Sequence, residues 1–563
     1  MARSHSERLA VNVGAGFALK LVSQLMKFVI KTVFIYTLGM QYVSVSTLFT
    51  DILSMLALAE LGIGNAITYA LYKPIRNRDY PRIAALMAFY RKAYRIIAAT
   101  VFIVGAACVP LLPYMVKNVP DITENISLIF MLYVVNSATS YLLVYKSTLL
   151  TASEMRWVIS KTSIIFTFIR TAAECIVLLV FKNFILYLMV GIVEHFIRNY
   201  IISQKATNLY PQIKDYPDKR LEKEETRKLL ADVGALSLYK ISHVILTSTD
   251  SIVISLAPAL GVMSVGFLGN YRLIFNTINS IVTQFYQSFV PTLGTVAASG
   301  NTEKQYDIFR LVFFVSFWMV LFCSTSLFCL SEPFVQNIWL SKRHVLDRSI
   351  LFALTFNFYV NCVIRPLNAF RTGNGLFIQG KLRPVATAIL NLTLDFVLVG
   401  RFGVFGVLMA TGISIVCTQL WYDSSLVYKN VFKRPPVEYA KKFLARFAIA
   451  VLCIGGTYML CEFVSGVIEN VYMAFIARML LCLLIPNGLV ILLYRNTYEY
   501  RQFISRLGFL TRRFRKKAGM GKKARRAGSS ADVSTDAVTP EQENPAPPVD
   551  MDDDPGSFQD NDI

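Results

Sequence analysis

Charge is what this chain has least of. Only 17% of its 563 residues are Asp, Glu, Lys or Arg, where a soluble domain carries about a quarter. Cysteine spacing of the metal-binding kind is missing as well. No Cys-x-x-Cys pair occurs and the histidines are scattered, so neither a metal site nor a disulfide framework is indicated. Cys108, Cys175, Cys323, Cys329, Cys362, Cys417, Cys453, Cys461 and Cys482 all sit in apolar stretches and read as small buried apolar residues. The first apolar run has no cleavage site after it and carries lysines, so it reads as a span and not as a signal peptide. A complete phosphate loop is absent too. Gly375 to Leu382, GLFIQGKL, lacks the hydroxyl that would ligate magnesium and follows a membrane helix where a strand is required. No loop on the outer side is long enough to house a glycosyltransferase or ligase site. The expectation is a protein that is not an enzyme and uses no cofactor.

What is abundant is apolar sequence: 55% of residues are hydrophobic and the mean hydropathy is +0.49. The apolar runs are near the roughly 20 residues that a bilayer-spanning helix needs, which excludes a barrel of weakly alternating strands. Fourteen spans are expected, near 11–38, 41–71, 93–116, 125–150, 157–181, 184–204, 229–257, 262–294, 309–331, 348–371, 382–400, 403–428, 441–466 and 470–494. Alternate loops are basic: Lys73 to Lys92, Lys205 to Lys228, Arg371 to Arg383, and Lys429 to Lys442. The positive-inside rule places these loops and both termini in the cytoplasm. One outer loop departs from the rule, with Lys342, Arg343 and Arg348. Residues 73–92 either mark a helix end at the headgroups or form a short interfacial helix.

The end of the chain differs from the rest. Arg501 to Arg526 holds eleven Lys or Arg and no acid, and Asp532 to Ile563 holds ten acids and no base. This composition reads as a disordered cytoplasmic tail. Its basic block is expected to lie on anionic membrane lipid; no nucleic-acid-binding motif accompanies it. Shifting the chain by 220 residues lays Gly14, Ala15 and Lys20 on Gly234, Ala235 and Lys240, and Ser44-Val45 on Ser264-Val265. Six spans separate the copies, so the repeats are parallel. The expected architecture is all-α and polytopic. It has an N-lobe (1–228), a C-lobe (229–428), two additional spans (429–495) and the tail (496–563).

Charge inside the spans carries the chemistry. Lys20, Lys27 and Lys31 fall within about 40° of arc, with Gln24 beside them. Each lysine costs roughly 2.5–3.5 kcal/mol at the bilayer centre, so a shared water-filled cavity accounts for all three better than lipid exposure does. Lys240, His243, Thr247 and Asp250 share one face of the seventh span, Arg272 follows in the eighth and Arg365-Pro366 in the tenth. A cavity lined by such cations suits an anionic substrate, with lysine as a mobile point charge for phosphate. The candidate substrate-binding residues are Lys20, Lys27, Lys31, Lys240 and Arg272. Lys20 and Lys240, equivalent in the repeats, are expected on opposite walls; the other readings are that Lys20 snorkels to the surface and that Lys240 pairs with Asp232 or Asp250. Candidate coupling-ion groups are Glu60 and Asp250. Glu60 also fits as a neutral carboxyl in a helix interface, where Gly62 and Gly64 permit close approach. Arg170 and Glu174 are expected to pair, Glu194, His195 and Arg198 to lie near the interface, and Asp395 has no evident local partner.

The span count, the two lobes and the stretch AELGIGNAI before a basic loop (residues 59–67) together resemble the polysaccharide repeat-unit flippases. These belong to the multidrug/oligosaccharidyl-lipid/polysaccharide exporter superfamily. The resemblance covers residues 10–495 and implies a bacterial inner-membrane protein. Its function would be to move a polyprenyl-diphosphate-linked oligosaccharide outward by alternating access, for lipopolysaccharide or exopolysaccharide biosynthesis, beside polysaccharide assembly proteins. A peptidoglycan lipid-precursor flippase and a cation-coupled drug or metabolite antiporter stay open, as does a scaffold whose basic tail recruits assembly enzymes.

Overall fold

The computed structural model describes residues 5–57, 63–116, 122–217, 219–257, 260–298, 301–374, 376 and 382–505. The side chains of residues 5–13, 65, 228, 231–240, 243 and 287–298 lie outside that description. Two units divide the chain, Met1–Tyr500 and Arg501–Ile563. The expected disorder of the tail falls almost wholly outside the described residues, as does the Gly375–Leu382 stretch apart from Leu376 and Leu382.

The first unit is helical throughout, with no strand among the described residues. Its N-terminal helices are α1 (His5–Leu38), α2 (Met40–Leu56), α3 (Ile63–Asn77), α4 (Tyr80–Cys108), α5 (Leu112–Met115), α6 (Ile126–Val144), α7 (Ser147–Ala152), α8 (Arg156–Ile176) and α9 (Phe184–Leu209). Then come α10 (Lys223–Leu256), α11 (Gly261–Ala298), α12 (Thr302–Pro333), α13 (Arg348–Val363), α14 (Arg365–Gly373), α15 (Arg383–Ile415), α16 (Trp421–Val427), α17 (Val437–Val467) and α18 (Val471–Tyr494). Several of these helices start on an Asn or Asp side chain that accepts from the first-turn amides, as Asn125, Asn183, Asn301, Asn470 and Asp79 do.

Ten of the helical runs are long and apolar enough to cross a membrane, and one of them, Arg383–Phe432, is 50 residues long. That run supplies two spans, because the chain reverses at Gly403, whose φ of 57° is left-handed. A Cβ on Gly406 would lie 2.6 Å from the carbonyl oxygen of Leu398, whereas eight residues of straight helix rise about 12 Å. The remaining expected spans fall on α2 and α3, α10 and α11. Residues 73–92 form no separate interfacial helix. They end α3, turn at Arg78 and enter α4 directly through the Asp79 cap. Lipid-facing surface is plain on α17 and α18, where Leu452, Met459, Phe463 and Leu492 are largely exposed.

The helices sort into two lobes and a pair. α1, α4, α6, α8 and α9 pack among themselves; α10, α12, α13 and α15 form the second group; α17 and α18 pack on each other and on α12. The lobes meet chiefly through α2, which packs on both α10 and α11. That seam is tight at the end of the molecule marked by Gly39 and Gly261. A Cβ on Gly266 would overlap Ser44 Oγ and lie 2.9 Å from Ser44 Cα. Nearby, Tyr36 Oη donates to the Trp339 carbonyl (3.3 Å) and Trp339 Nε1 to Thr32 Oγ1 (2.6 Å).

Candidate functional site: a cationic inter-lobe cavity beside a buried carboxylate cluster

Lys27 and Lys31 are one helical turn apart on α1. Both line a cavity of about 330 Å³, which also takes Thr47, Thr50 and Asp51 from α2, Tyr187 from α9, and Gly269, Arg272 and Asn276 from α11. Three of the expected substrate-binding residues therefore meet: Lys27, Lys31 and Arg272. Gly269 makes the room, since a Cβ there would stand 3.5 Å from Lys31 Nζ and 3.1 Å from the Thr47 methyl. Among the described residues neither Lys27 nor Lys31 has an ion-pair partner. Lys20 lies on the same helix two turns toward the N-terminus, about 10 Å away, and does not line this cavity. Gln24, between them, donates to Ser280 across the lobes (3.1 Å). Lys240 falls on α10, but its side chain lies outside the described residues, as does the whole of Glu60. Gly64, beside the latter, does bring helices close: a Cβ there would lie 3.1 Å from Tyr90 Oη on α4.

Arg272 faces two ways. It borders the cationic cavity, and its guanidinium also donates to Asp250 Oδ2 (2.8 Å) and Ser251 Oγ (2.9 Å), with Asp51 Oδ2 at 3.8 Å. Ser251 Oγ in turn donates to Asp51 Oδ2 (2.5 Å). The sequence reading passed over Asp51. Its sequence signal is an acid inside an apolar span, which it shares with Glu60 nine residues later.

Behind Arg272 the carboxylates continue into the C-lobe. Thr411 Oγ1 donates to Asp250 Oδ1 (3.4 Å), and Asn391 Nδ2 donates to Thr411 Oγ1 (3.3 Å) and Asp395 Oδ1 (3.4 Å). Asp395 and Asn391 are fully buried, and Asp395 Oδ2 and Asn391 Oδ1 have no hydrogen-bond partner among the described residues. Asp395, which had no evident partner in sequence, is thus joined to the coupling-ion candidate Asp250. A cluster of hard oxygen acceptors with unmet capacity is suited to a proton or a small hard cation.

Several other charges on these helices have polar partners. Arg170 Nε donates to Glu174 Oε1 at 2.6 Å, the expected pair. Glu194 is buried, with Arg170 at 3.6 Å and Arg198 at 3.3 Å. Arg365 donates to Asn279 Oδ1 (2.6 Å) and to Thr283 Oγ1. In the loop that departs from the charge rule, Arg348 pairs with Glu332 at 3.4 Å and Glu462 at 3.7 Å. Cys329, Cys461 and Cys482, distant in sequence, bring their sulfurs within 4.8 Å of one another. Phe328, Leu330, Tyr458 and Leu481 surround them, so the cluster sits in apolar packing.

The two lobes meet along α2, α10 and α11 beside a polar cavity. No sequence family and no curated protein matches the chain, but solved structures do. The lipid II flippase MurJ in an inward closed conformation superposes with a TM-score of 0.60 at 12% identity, over 86% of this chain and 99% of that one. An inward-facing multidrug resistance MATE family transporter of the MOP superfamily gives 0.57 at 12% identity, over 72% and 96%. A MOP superfamily transporter from Pyrococcus furiosus, described by the reverse polarity of its binding pocket, gives 0.52 at 14% identity, over 74% and 95%. The chain has the fold of the MOP superfamily transporters.

Proposed function

We propose that this protein is a flippase that carries a polyprenyl-diphosphate-linked oligosaccharide repeat unit across the bacterial inner membrane for surface polysaccharide assembly. The observation that carries the reading is the pair of ammonium groups, Lys27 and Lys31, without an acidic partner among the described residues and beside Arg272 in one inter-lobe cavity. A diphosphate there gains charge-assisted contacts, each worth roughly 1.5–3 kcal/mol where water is largely excluded. Lysine holds it without the fixed fork geometry of arginine, so the ligand can leave.

Arg272 links the load to its driving force. It is shared between the anion cavity and Asp250, so a proton or cation taken up at Asp250 and Asp395 weakens its tie to the carboxylate and frees it toward phosphate. Alternating access then follows from opening the α2–α11 seam at the Gly39 end, which the loop charges assign to the outside, with both termini cytoplasmic. Anionic lipid under the basic tail and polysaccharide assembly proteins are the partners of this reading.

The test is deletion of the gene followed by analysis of surface glycans and lipid-linked intermediates. Accumulation of unpolymerised polyprenyl-linked repeat units, with intact cell wall, is the expected result. Arrest of cell-wall synthesis instead establishes the second reading, a peptidoglycan lipid-precursor flippase, which the likeness to the lipid II flippase fold favours. A drug antiporter would place acids, not lysines, in the open cavity, and a scaffold would tolerate loss of both lysines.

A further inference from the structure

The anion cavity is not a closed chamber: a second cavity, of about 410 Å³, adjoins it inside the N-lobe, and Ser46, Thr50 and Tyr187 line both. Its remaining walls come from α2, α6, α8 and α9, and their chemistry is different. Hydroxyls and an amide replace the ammonium groups: Ser54, Asn136, Ser137 and Ser140 are in the wall. Resting on the reading above that Lys27 and Lys31 hold a diphosphate, we infer that this second cavity receives the sugar attached to it and selects an uncharged, hydroxyl- or acetamido-bearing residue.

The direction of the hydrogen bonds makes the case. Thr50 Oγ1 donates to the Ser46 carbonyl (2.8 Å), Ser54 Oγ to the Thr50 carbonyl (2.8 Å) and Ser140 Oγ to the Ser137 carbonyl (2.7 Å). Each hydroxyl hydrogen is spent on its own helix, so the oxygen is left as an acceptor. Asn136 Oδ1 is a further acceptor, buried and with no hydrogen-bond partner among the described residues. Walls of this kind ask for a ligand rich in O–H and N–H donors, which a sugar supplies and an acyl chain does not. The volume lies within the range of small-ligand pockets. Charge selection points the same way. The one guanidinium in the wall, Arg170, is held by Glu174 at 2.6 Å and Glu194 at 3.6 Å. It is neutralised before a ligand arrives, so an acidic sugar finds no free cation there. The two cavities adjoin as the diphosphate and the first sugar do.

The experiment measures binding of two probes to the purified full-length protein in lipid nanodiscs. The probes are undecaprenyl diphosphate and undecaprenyl diphosphate bearing one N-acetylglucosamine. The wild type is expected to bind the glycosylated probe about tenfold more tightly, the value of one or two neutral hydrogen bonds. Ser137→Leu, which fills the cavity, should bring the two affinities together while leaving that for the bare diphosphate unchanged. Ser54→Ala, a smaller change that keeps the fold, should close part of the gap. Lys27→Gln/Lys31→Gln should weaken both probes. If the wild type does not distinguish the probes, or if Ser137→Leu and Ser54→Ala weaken both equally, the sugar cavity is overturned and the anion site stands. If the lysine variant binds both probes as the wild type does, the anion reading fails, and the sugar assignment that rests on it fails too.

Discussion

The two polar regions flanking Arg272 are built from opposite charges and handle them in opposite ways. On the α1 side, Lys27 and Lys31 carry no acidic partner among the described residues and border open volume. On the α15 side, Asp250, Asn391, Asp395 and Thr411 are buried against one another. An unpaired charge beside a cavity is stable because water or a ligand solvates it; an under-bonded carboxylate in a packed core is stable once a proton or cation does the same. The lesson is that the size of the counter-ion each region can admit, a bulky anion or a proton-sized cation, follows from packing and not from charge alone.

Removing the charge on the open side should have the largest effect. Lys27→Gln/Lys31→Gln is expected to bring export of lipid-linked repeat units close to that of the deletion strain, and each single change to leave partial activity. Lys27→Arg and Lys31→Arg should retain more than the Gln variants, because charge matters there more than geometry. Export normalised to the amount of protein in the membrane checks this, and full activity of the double Gln variant breaks the contrast between the two regions.

On the closed side the effect should divide by residue. Asp395→Asn keeps the shape of the cluster and removes one titratable oxygen, so substrate binding is expected to persist while transport loses its response to an imposed proton or sodium gradient. Asp250→Asn also deprives Arg272 of its 2.8 Å partner and should cost stability as well, since breaking a buried ion pair costs about 3–5 kcal/mol. Thermal midpoints alongside gradient-driven uptake in proteoliposomes separate the two. If Asp395→Asn retains the full gradient response, the cluster is packing and not a coupling site.

Much of the open side was legible in the sequence. The spacing of Lys20, Lys27 and Lys31 is a property of one helix, and helical geometry turns spacing into a shared face. The lobes followed from the 220-residue internal repeat and the six spans that separate its copies. The closed side was not legible, because Asp250, Asn391, Asp395 and Thr411 come from α10 and from the two arms of α15 and meet only through tertiary packing. Asn391 and Thr411 are neutral, so they gave no signal against the many polar residues of these spans. The reversal at Gly403, which brings Thr411 back beside Asn391, is marked by one glycine in a stretch that also holds Gly400 and Gly406. The contact of Glu194 with Arg170 was not legible either, because Arg170 lies on the neighbouring helix, far away in sequence.

A smaller effect, on conformation and not on binding, is expected at the seam. Gly266→Ala puts a Cβ into Ser44, whose Cα would lie 2.9 Å away. Backbone cannot yield as a flexible side chain can, so the packed state at the Gly39 end becomes disfavoured and the alternative state gains population. Labelling of a cysteine at Met263, whose sulfur lies 3.6 Å from Ser44 Oγ, in a background lacking the native cysteines, should therefore speed up from the outer side. Unchanged labelling would mean that the seam does not open there during transport.

The smallest effect is expected farthest from both regions. The acidic end of the chain, residues 527–563, has few apolar residues with which to build a core, and its ten acids disfavour contact with an anionic membrane. Removing it leaves Arg501–Arg526, the basic block suited to lipid headgroups, and leaves both charge regions untouched. Export at matched protein levels should stay within about twofold of the full chain, a change of under 0.5 kcal/mol in any one step. The cut is placed after Arg526 because an earlier one approaches Glu499, which accepts from Arg310 Nε at 2.8 Å and ties the end of the first unit to α12. Loss of export on removing only the acidic end would give the tail a direct part in transport. The contrast between an open anion region and a closed cation region would then no longer account for the activity by itself.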